Sequence, residues 1–353
     1  MRLTGLRLER ARASARYRDG RFHNTHDVRA TLDGPALPIM KAWLFDRAAR
    51  RPTAALPVER PLATWATPVS AHGLRVTWLG HSTVLLEVDG LRVLTDPVFG
   101  DRLGPVRFAG PRRFHAPPVA VAELPPLDAV LVSHDHYDHL CASTIRALAA
   151  RAVPFVTSLG VGAHLEALGV APARITELDW WETHTLPGGA LAFTATPAQH
   201  FSGRLGGRNA TLWSSWVLET ANRRVFFSGD TGLTPELADI AARFGRFDLT
   251  MLEIGAWHPA WGSVHLGPDN ALKALALLGG GTLVPVHWST FDLGLHPWAE
   301  PAETLYAAAA ATGARVLTPM LGRPFEPAAV ERLDPWWRAV AGAVAVDQPV
   351  PAA

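Results

Sequence analysis

Ser133-His134-Asp135-His136-Tyr137-Asp138-His139-Leu140 directly follows an apolar run, Asp128-Ala129-Val130-Leu131-Val132, and precedes a helical segment. Every residue from His134 to His139 except Tyr137 is histidine or aspartate. On a turn between a strand and a helix, several such side chains can converge on one point, which no regular helix or strand allows. Imidazole and carboxylate are donors that zinc, manganese and iron accept. With 15 histidines in 353 residues, chance rarely assembles this arrangement.

Three more candidates end apolar runs further along. They are His200 in Thr196-Pro197-Ala198-Gln199-His200, Asp230 in Phe226-Phe227-Ser228-Gly229-Asp230, and His287 in Val284-Pro285-Val286-His287. A lone strand-end histidine is usually structural. Three in register with the first motif point to one site, because layered α/β folds build sites at strand C-termini.

The surrounding pattern supplies the layers. Leu74-Trp78, Thr83-Val88 and Arg92-Thr95 read as an antiparallel start, with Asp89-Gly90 as a hairpin turn. Strands are predicted at 128–133, 153–157, 191–195, 215–219, 224–228, 248–254 and 282–287. Helices are predicted at 143–151, 162–168, 234–243, 268–278 and 301–312. Strands and helices interleave, so the expected class is α/β (α+β), a layered sandwich. Residues 1–70 read as an N-terminal extension packing on a catalytic domain at 71–325, and 326–353 as a C-terminal tail.

Composition removes several classes. There are 33 basic and 32 acidic residues, giving a formal charge of +1 and no nucleic-acid footprint. The single cysteine, Cys141, excludes an intramolecular disulfide and any multi-cysteine zinc site. No run approaches about 18 apolar residues, so a membrane-spanning helix is not expected. The opening Met1–Arg10 lacks a continuous apolar stretch, and the expected location is the cytoplasm, peripheral at a membrane at most.

Gly73–Thr83, Leu94-Thr95-Asp96-Pro97, Gly110–Phe114, Leu124–Val130, the His134 motif, Pro197–His200, Gly229–Gly232, Arg243–Leu249 and His287-Trp288-Ser289-Thr290-Phe291 together resemble the metallo-β-lactamase superfamily. Within it, the chain resembles the branch of the phospholipase D that hydrolyses N-acyl-phosphatidylethanolamine, with its bacterial relatives. The resemblance runs from about residue 70 to 325. It implies an αβ/βα four-layer sandwich with two divalent ions, zinc first, manganese or iron also suiting the donors. Carried over, His134, His136 and His200 hold one ion, Asp138, His139 and His287 the other, and Asp230 bridges both. A hydroxide between the ions is then the nucleophile. The resemblance also places Asp96 beneath the metals, and Tyr137 and His265 against substrate. For these, a turn-forming Asp before Pro, loop packing and a loop-capping hydrogen bond are the plainer alternatives. A phospholipid or other phosphodiester is the implied substrate and a homodimer the implied assembly.

The other residues divide less sharply. His81 reads as a buried structural histidine and Cys141 as the inert start of a helix. Arg204 and Arg208, in a Gly-rich loop after His200, suit phosphate or a solvated surface equally, as do Arg112 and Arg113. Trp180, Trp181, Trp257, Trp261, Trp288 and Trp298 either line an acyl channel or pack. Pro38–Arg51 either lies on an anionic membrane or docks on the sandwich. The rival activity on the same fold is a sugar-phosphate lactonase, ahead of β-lactam hydrolysis or a tRNA-processing nuclease. A non-catalytic metal-binding protein is the rival from another class.

Overall fold

Successive side chains of a strand point to opposite faces, and Leu74–Gly80 and Thr83–Val88 use both. Val76, Trp78, Val84 and Leu86 enter one buried apolar cluster, while Leu79 and Leu85 enter another. A strand buried on both faces needs cover on both, and that requirement dictates the layers. The computed structural model describes residues 3–26, 28, 41, 50–106, 108–205, 207–258 and 261–341.

Two seven-stranded sheets carry the fold. The first runs Pro324–Phe325, Leu74–Gly80, Thr83–Val88, Leu91–Thr95, Ala129–Val132, Phe155–Ser158, Ile175–Leu178. It is antiparallel up to Leu91–Thr95 and parallel from there. The second runs Arg315–Val316, Thr282–Val286, Leu249–Glu253, Arg224–Phe227, Ser215–Glu219, Ala192–Thr196, Thr183–Thr185. Its first four strands are parallel.

The sheets face each other across a core containing Val93, Leu131 and Val156 from one and Phe193, Val217, Phe227 and Met251 from the other. Helices Ala142–Ala149 and Gly162–Ala167 cover the outer face of the first sheet through Ile145, Leu148 and Leu165. Helices Glu236–Phe244, Gly267–Leu277 and Glu300–Thr312 join the second through Leu237, Ile240, Ala274, Leu275 and Leu305. The result is the αβ/βα four-layer sandwich.

The ends of the chain add to this frame. Helix Gly5–Ala13 is clamped by Arg7, which donates to both carboxylate oxygens of Glu166 at 2.8 Å and to Glu177 at 2.7 Å. Asp19-Gly20, both at positive φ, turns a short hairpin. Phe22 then buries against Leu159, Leu212 and Trp213. At the other end, Trp336 and Trp337 pack around Trp288, which stacks on Trp78 at 5.2 Å. Trp288 and Trp298 are therefore core residues, and the packing alternative applies to them. Pro38–Arg51 lies outside the described residues except for Lys41, Arg50 and Arg51, as does 342–353. Among the described residues no helix is long and apolar enough to cross a membrane.

Candidate metal centre

The parallel strands of both sheets deliver their C-terminal ends to one place. Leu91–Thr95 leads into Asp96 and Ala129–Val132 into the 134–139 loop. In the second sheet Arg224–Phe227 leads to Asp230, Leu249–Glu253 ends on Glu253, and Thr282–Val286 leads to His287. Non-glycine residues at positive φ gather here: His81 (52°), Asp96 (33°) and His287 (65°). Each such residue costs roughly 1–3 kcal/mol and persists only where its surroundings fix it. The fixing bonds are visible, since His287 N donates to His81 O at 3.0 Å and His81 N to Thr290 Oγ1 at 2.6 Å. Gly229 (φ 53°) admits the close approach at this end, because a Cβ there would lie 2.7 Å from Ser133 Cβ.

Two groups of four donors result. His134, His136, His200 and Asp230 form one, and His81, Asp138, His139 and His287 the other, each with donor atoms within 4.8 Å of one another. Asp230 reaches both. Its Oδ2 lies 3.8 Å from His134 Nε2, 3.6 Å from His200 Nε2, 3.1 Å from His139 Nε2 and 3.2 Å from His287 Nε2. His81 lies inside the second group, with Nε2 2.9 Å from Asp138 Oδ2. All seven residues carried over as ligands therefore converge, and His81 joins them.

The residues fit divalent ions. A ligating histidine presents one nitrogen to the metal and places the other against an oxygen. His139 Nδ1 faces Asp96 Oδ2 at 2.6 Å, His200 Nδ1 faces Val264 O at 2.9 Å, and His287 Nδ1 faces Gly255 O at 3.3 Å. In each ring Nε2 is left to point at Asp230. His139 Nε2, His287 Nε2 and Asp230 Oδ1 are buried without a hydrogen-bond partner. Buried polar atoms of native proteins are rarely orphaned, and shared cations resolve all three at once.

A third group, Asp230, Glu253, His265 and His287, borders the first two. Glu253 Oε2 receives His265 Nδ1 at 2.7 Å, while Oε1 accepts Thr231 N at 2.9 Å. Glu253 was not singled out from sequence. The signal was present, because Leu249-Thr250-Met251-Leu252-Glu253 is an apolar run ending in a donor, like those before His200, Asp230 and His287.

The remaining candidates stand apart from these groups. Tyr137 packs against a cluster of Val98, Leu103, Cys141 and Phe291. Its hydroxyl accepts from Leu205 N at 3.3 Å, and the Arg204 guanidinium lies 3.9 Å over its ring. Arg204 is half-buried. It donates to Asp135 O at 2.7 Å and Leu140 O at 2.9 Å, tying the hairpin Gly203–Arg208 to the motif loop. Arg113 is buried and donates to Val98 O at 2.7 Å, and Arg208 stacks on Phe201 at 4.6 Å. Cys141 is buried and directly precedes helix Ala142–Ala149.

Electrostatics follow from burial and crowding. Burial alone would raise the Asp230 pKa, but the neighbouring His139 and His287 hold it well below the usual carboxylate range. Burial and the adjacent His287 push His81 down to about 3. Burial lowers His265, but the hydrogen-bonded Glu253 carboxylate together with Asp230 raises it on balance. Burial lowers His287, yet the nearby carboxylates of Asp230 and Asp138 carry it up to about 10. That value lies above the unfolded value of about 6.5. The stability from this pairing is therefore complete below about pH 6.5 and is lost as pH rises toward about 10. Chelator-treated protein should show a melting temperature that falls across that window. Divalent metal should flatten the fall by taking the proton's place on Nε2. A chelator-treated melting temperature that is flat or rises there would remove His287 as the cause.

Comparison with known proteins agrees with the fold. Residues 91–288 match the profile of the Beta-lactamase superfamily domain. An uncharacterized protein of Mycobacterium tuberculosis is 46% identical over 331 residues, covering 92% of this chain and 88% of that protein. The N-acyl-phosphatidylethanolamine-hydrolyzing phospholipase D 1 of Caenorhabditis elegans is 37% identical over 236 residues, covering 64% of this chain and 66% of the worm protein. Among solved structures, Igni18, a metallo hydrolase from the archaeon Ignicoccus hospitalis, aligns with TM-score 0.55 at 23% identity. That alignment covers 72% of this chain and 98% of the archaeal one, a likeness of fold alone.

Proposed function

Because the chain belongs to the metallo-β-lactamase superfamily, in the branch related to the N-acyl-phosphatidylethanolamine-hydrolysing phospholipases D, we propose that this metal-dependent hydrolase cleaves a phosphodiester. The proposed substrates are N-acylated glycerophospholipids, cut at the P–O bond on the alcohol side. Water supplies the new P–O bond, and the products are an N-acylethanolamine and phosphatidate.

The observation that carries this reading is the placement of Asp230 Oδ2 within 3.8 Å of four histidine Nε2 atoms from both donor groups. In the proposed site, His134, His136 and His200 would hold one ion, Asp138, His139 and His287 the other, with Asp230 serving both. Zinc is the first candidate, and manganese and iron suit the same nitrogen and oxygen donors. Two such ions would supply Lewis acidity and lower the pKa of a bound water toward about 7.

The chain's own residues account for the rest. Glu253 holds His265 Nδ1. That leaves His265 Nε2 to give a proton to the departing alkoxide, as general-acid catalysis requires. Tyr137 would donate a hydrogen bond from its hydroxyl to a phosphoryl oxygen and orient it. Residues 71–325 form the catalytic domain in this reading, with peripheral membrane contact and a homodimer as its assembly.

The test is a mass-spectrometric assay with N-acyl-phosphatidylethanolamine in mixed micelles. The protein is loaded separately with zinc, manganese or iron, and Asp138→Asn is the control. Metal-dependent release of both products, absent in the control, is the expected result. No release by protein carrying two ions per chain would move the substrate to a smaller phosphodiester or a lactone.

A further inference from the structure

We infer that the N-terminal segment is a working part of the metal centre, with Asn24 as the positioning residue for His200. The inference rests on the reading of His200 as a metal ligand. Asn24 and its anchor Phe22 lie outside the superfamily match at 91–288.

The Asn24 amide pairs with the His200 main chain in both directions. Nδ2 donates to His200 O at 2.8 Å, and Oδ1 accepts from His200 N at 3.0 Å. This is the two-bond pairing that a neighbouring strand would offer, supplied by one side chain 176 residues away. Asn24 Oδ1 also accepts from Trp213 Nε1 at 3.2 Å, and that same indole donates to Ala198 O at 2.9 Å. His200 is thereby held at every handle. Asn24 fixes its peptide groups, Val264 O fixes Nδ1 at 2.9 Å, and Nε2 is left facing Asp230.

Asn24 is itself anchored. Two residues earlier Phe22 is fully buried with Ala198, Leu212 and Trp213, and Phe22 N donates to Asn209 O at 2.8 Å. Asn209 N in turn donates to Ser202 O at 2.9 Å, so both sides of the His200 loop are stitched to the segment. The apolar anchor sets the position of the strap, and the amide transmits it to the ligand. Residues that orient a ligand without touching the metal typically govern metal affinity by about 10–100-fold.

The test measures divalent-ion affinity by competition with a chromophoric chelator, on the full chain. Asn24→Ala should weaken one of two ions by about 10–100-fold and leave the other within about twofold. Amide exchange at His200, whose N–H loses its acceptor, should accelerate in the chelator-treated variant. Asn24→Asp keeps the acceptor for His200 N and Trp213 but loses the donor to His200 O, so its affinity should fall between the two. Arg7→Ala removes the Glu166 and Glu177 clamp but leaves Asn24 in place, and should bind both ions like the parent. If Asn24→Ala does not fold, Asn24→Asp decides by the same criterion. Parent-like affinity for both ions in the Asn24 variants would overturn the inference alone. A parent that binds no divalent ion would overturn the proposed metal site, and this inference with it.

Discussion

Asp230→Asn is expected to remove metal and turnover together, with a loss of about a thousandfold or more in kcat/KM. A factor of that size is about 4 kcal/mol of transition-state stabilisation. The substitution is nearly isosteric, so the effect isolates charge. Asp230 belongs to one four-donor group and reaches the other, its Oδ2 facing two imidazole nitrogens of each. Two dications held close together repel unless an anion lies between them. A neutral amide leaves that repulsion uncompensated, and its NH2 would point toward ring nitrogens or cations. Metal content measured by inductively coupled plasma should fall from two ions per chain to at most one. Asp230→Glu restores the charge but displaces the oxygen by about one bond length, so it should regain metal before it regains rate. If Asp230→Asn keeps two ions and turns over within about tenfold of the parent, the bridging role is wrong.

The metal motif was readable because its residues are adjacent in the chain and chemically unusual. His134 to His139 needed no tertiary knowledge, only the recognition that a turn gathers what a helix would disperse. His200, Asp230 and His287 were readable for a different reason. Each closes an apolar run; parallel strands place Asp230 and His287 at one edge of the sheet, and His200 reaches the same edge from Ala192–Thr196, which pairs antiparallel. Glu253 obeys the same rule and was missed, since a single glutamate after Leu252 carries no motif around it. The helices at 236–244, 267–277 and 300–312 fell within two residues of expectation, the first through its apolar spacing and the last as an alanine-rich run closed by Gly313.

The short strands at 175–178 and 183–185 and the helix at 5–13 were not anticipated. These depend on partners far along the chain, such as Arg7 on Glu166 and Glu177. Asp19-Gly20 carries the same turn signal as Asp89-Gly90, but its flanking strands are two residues long. Asn24 was beyond sequence reasoning, because one asparagine in a polar stretch says nothing of His200 until the fold brings them together. Arg204 shows the converse. A Gly-rich loop with an arginine suggests an anion site, whereas two backbone carbonyls of the motif loop already occupy its Nη1.

Asp96→Asn should separate orientation of a ligand from direct contact with the metal. Asp96 is fully buried at the end of Leu91–Thr95 and accepts three hydrogen bonds. Oδ1 takes Ser133 N, and Oδ2 takes Ser133 Oγ and His139 Nδ1, each at 2.6 Å. Burial raises its pKa, while His139 and the Ser133 bonds offset that in part. An asparagine has one acceptor oxygen and one donor NH2. Whichever way the amide turns, either Ser133 N–H or His139 Nδ1–H meets a donor. Breaking a buried charged pair costs about 3–5 kcal/mol, which chemical denaturation of the chelator-treated protein would read. His139 can relieve part of that cost by moving its proton from Nδ1 to Nε2 and accepting from the asparagine amide. But His139 Nε2 is the atom 3.1 Å from Asp230 Oδ2, and a protonated nitrogen cannot ligate an ion. Stability and metal affinity therefore respond differently. Relaxation can reduce the loss of stability, whereas either response of the ring weakens metal binding, by about 10–100-fold. Asp96→Asn protein that is destabilised yet binds both ions like the parent would show that Asp96 supports the loop and not the ligand.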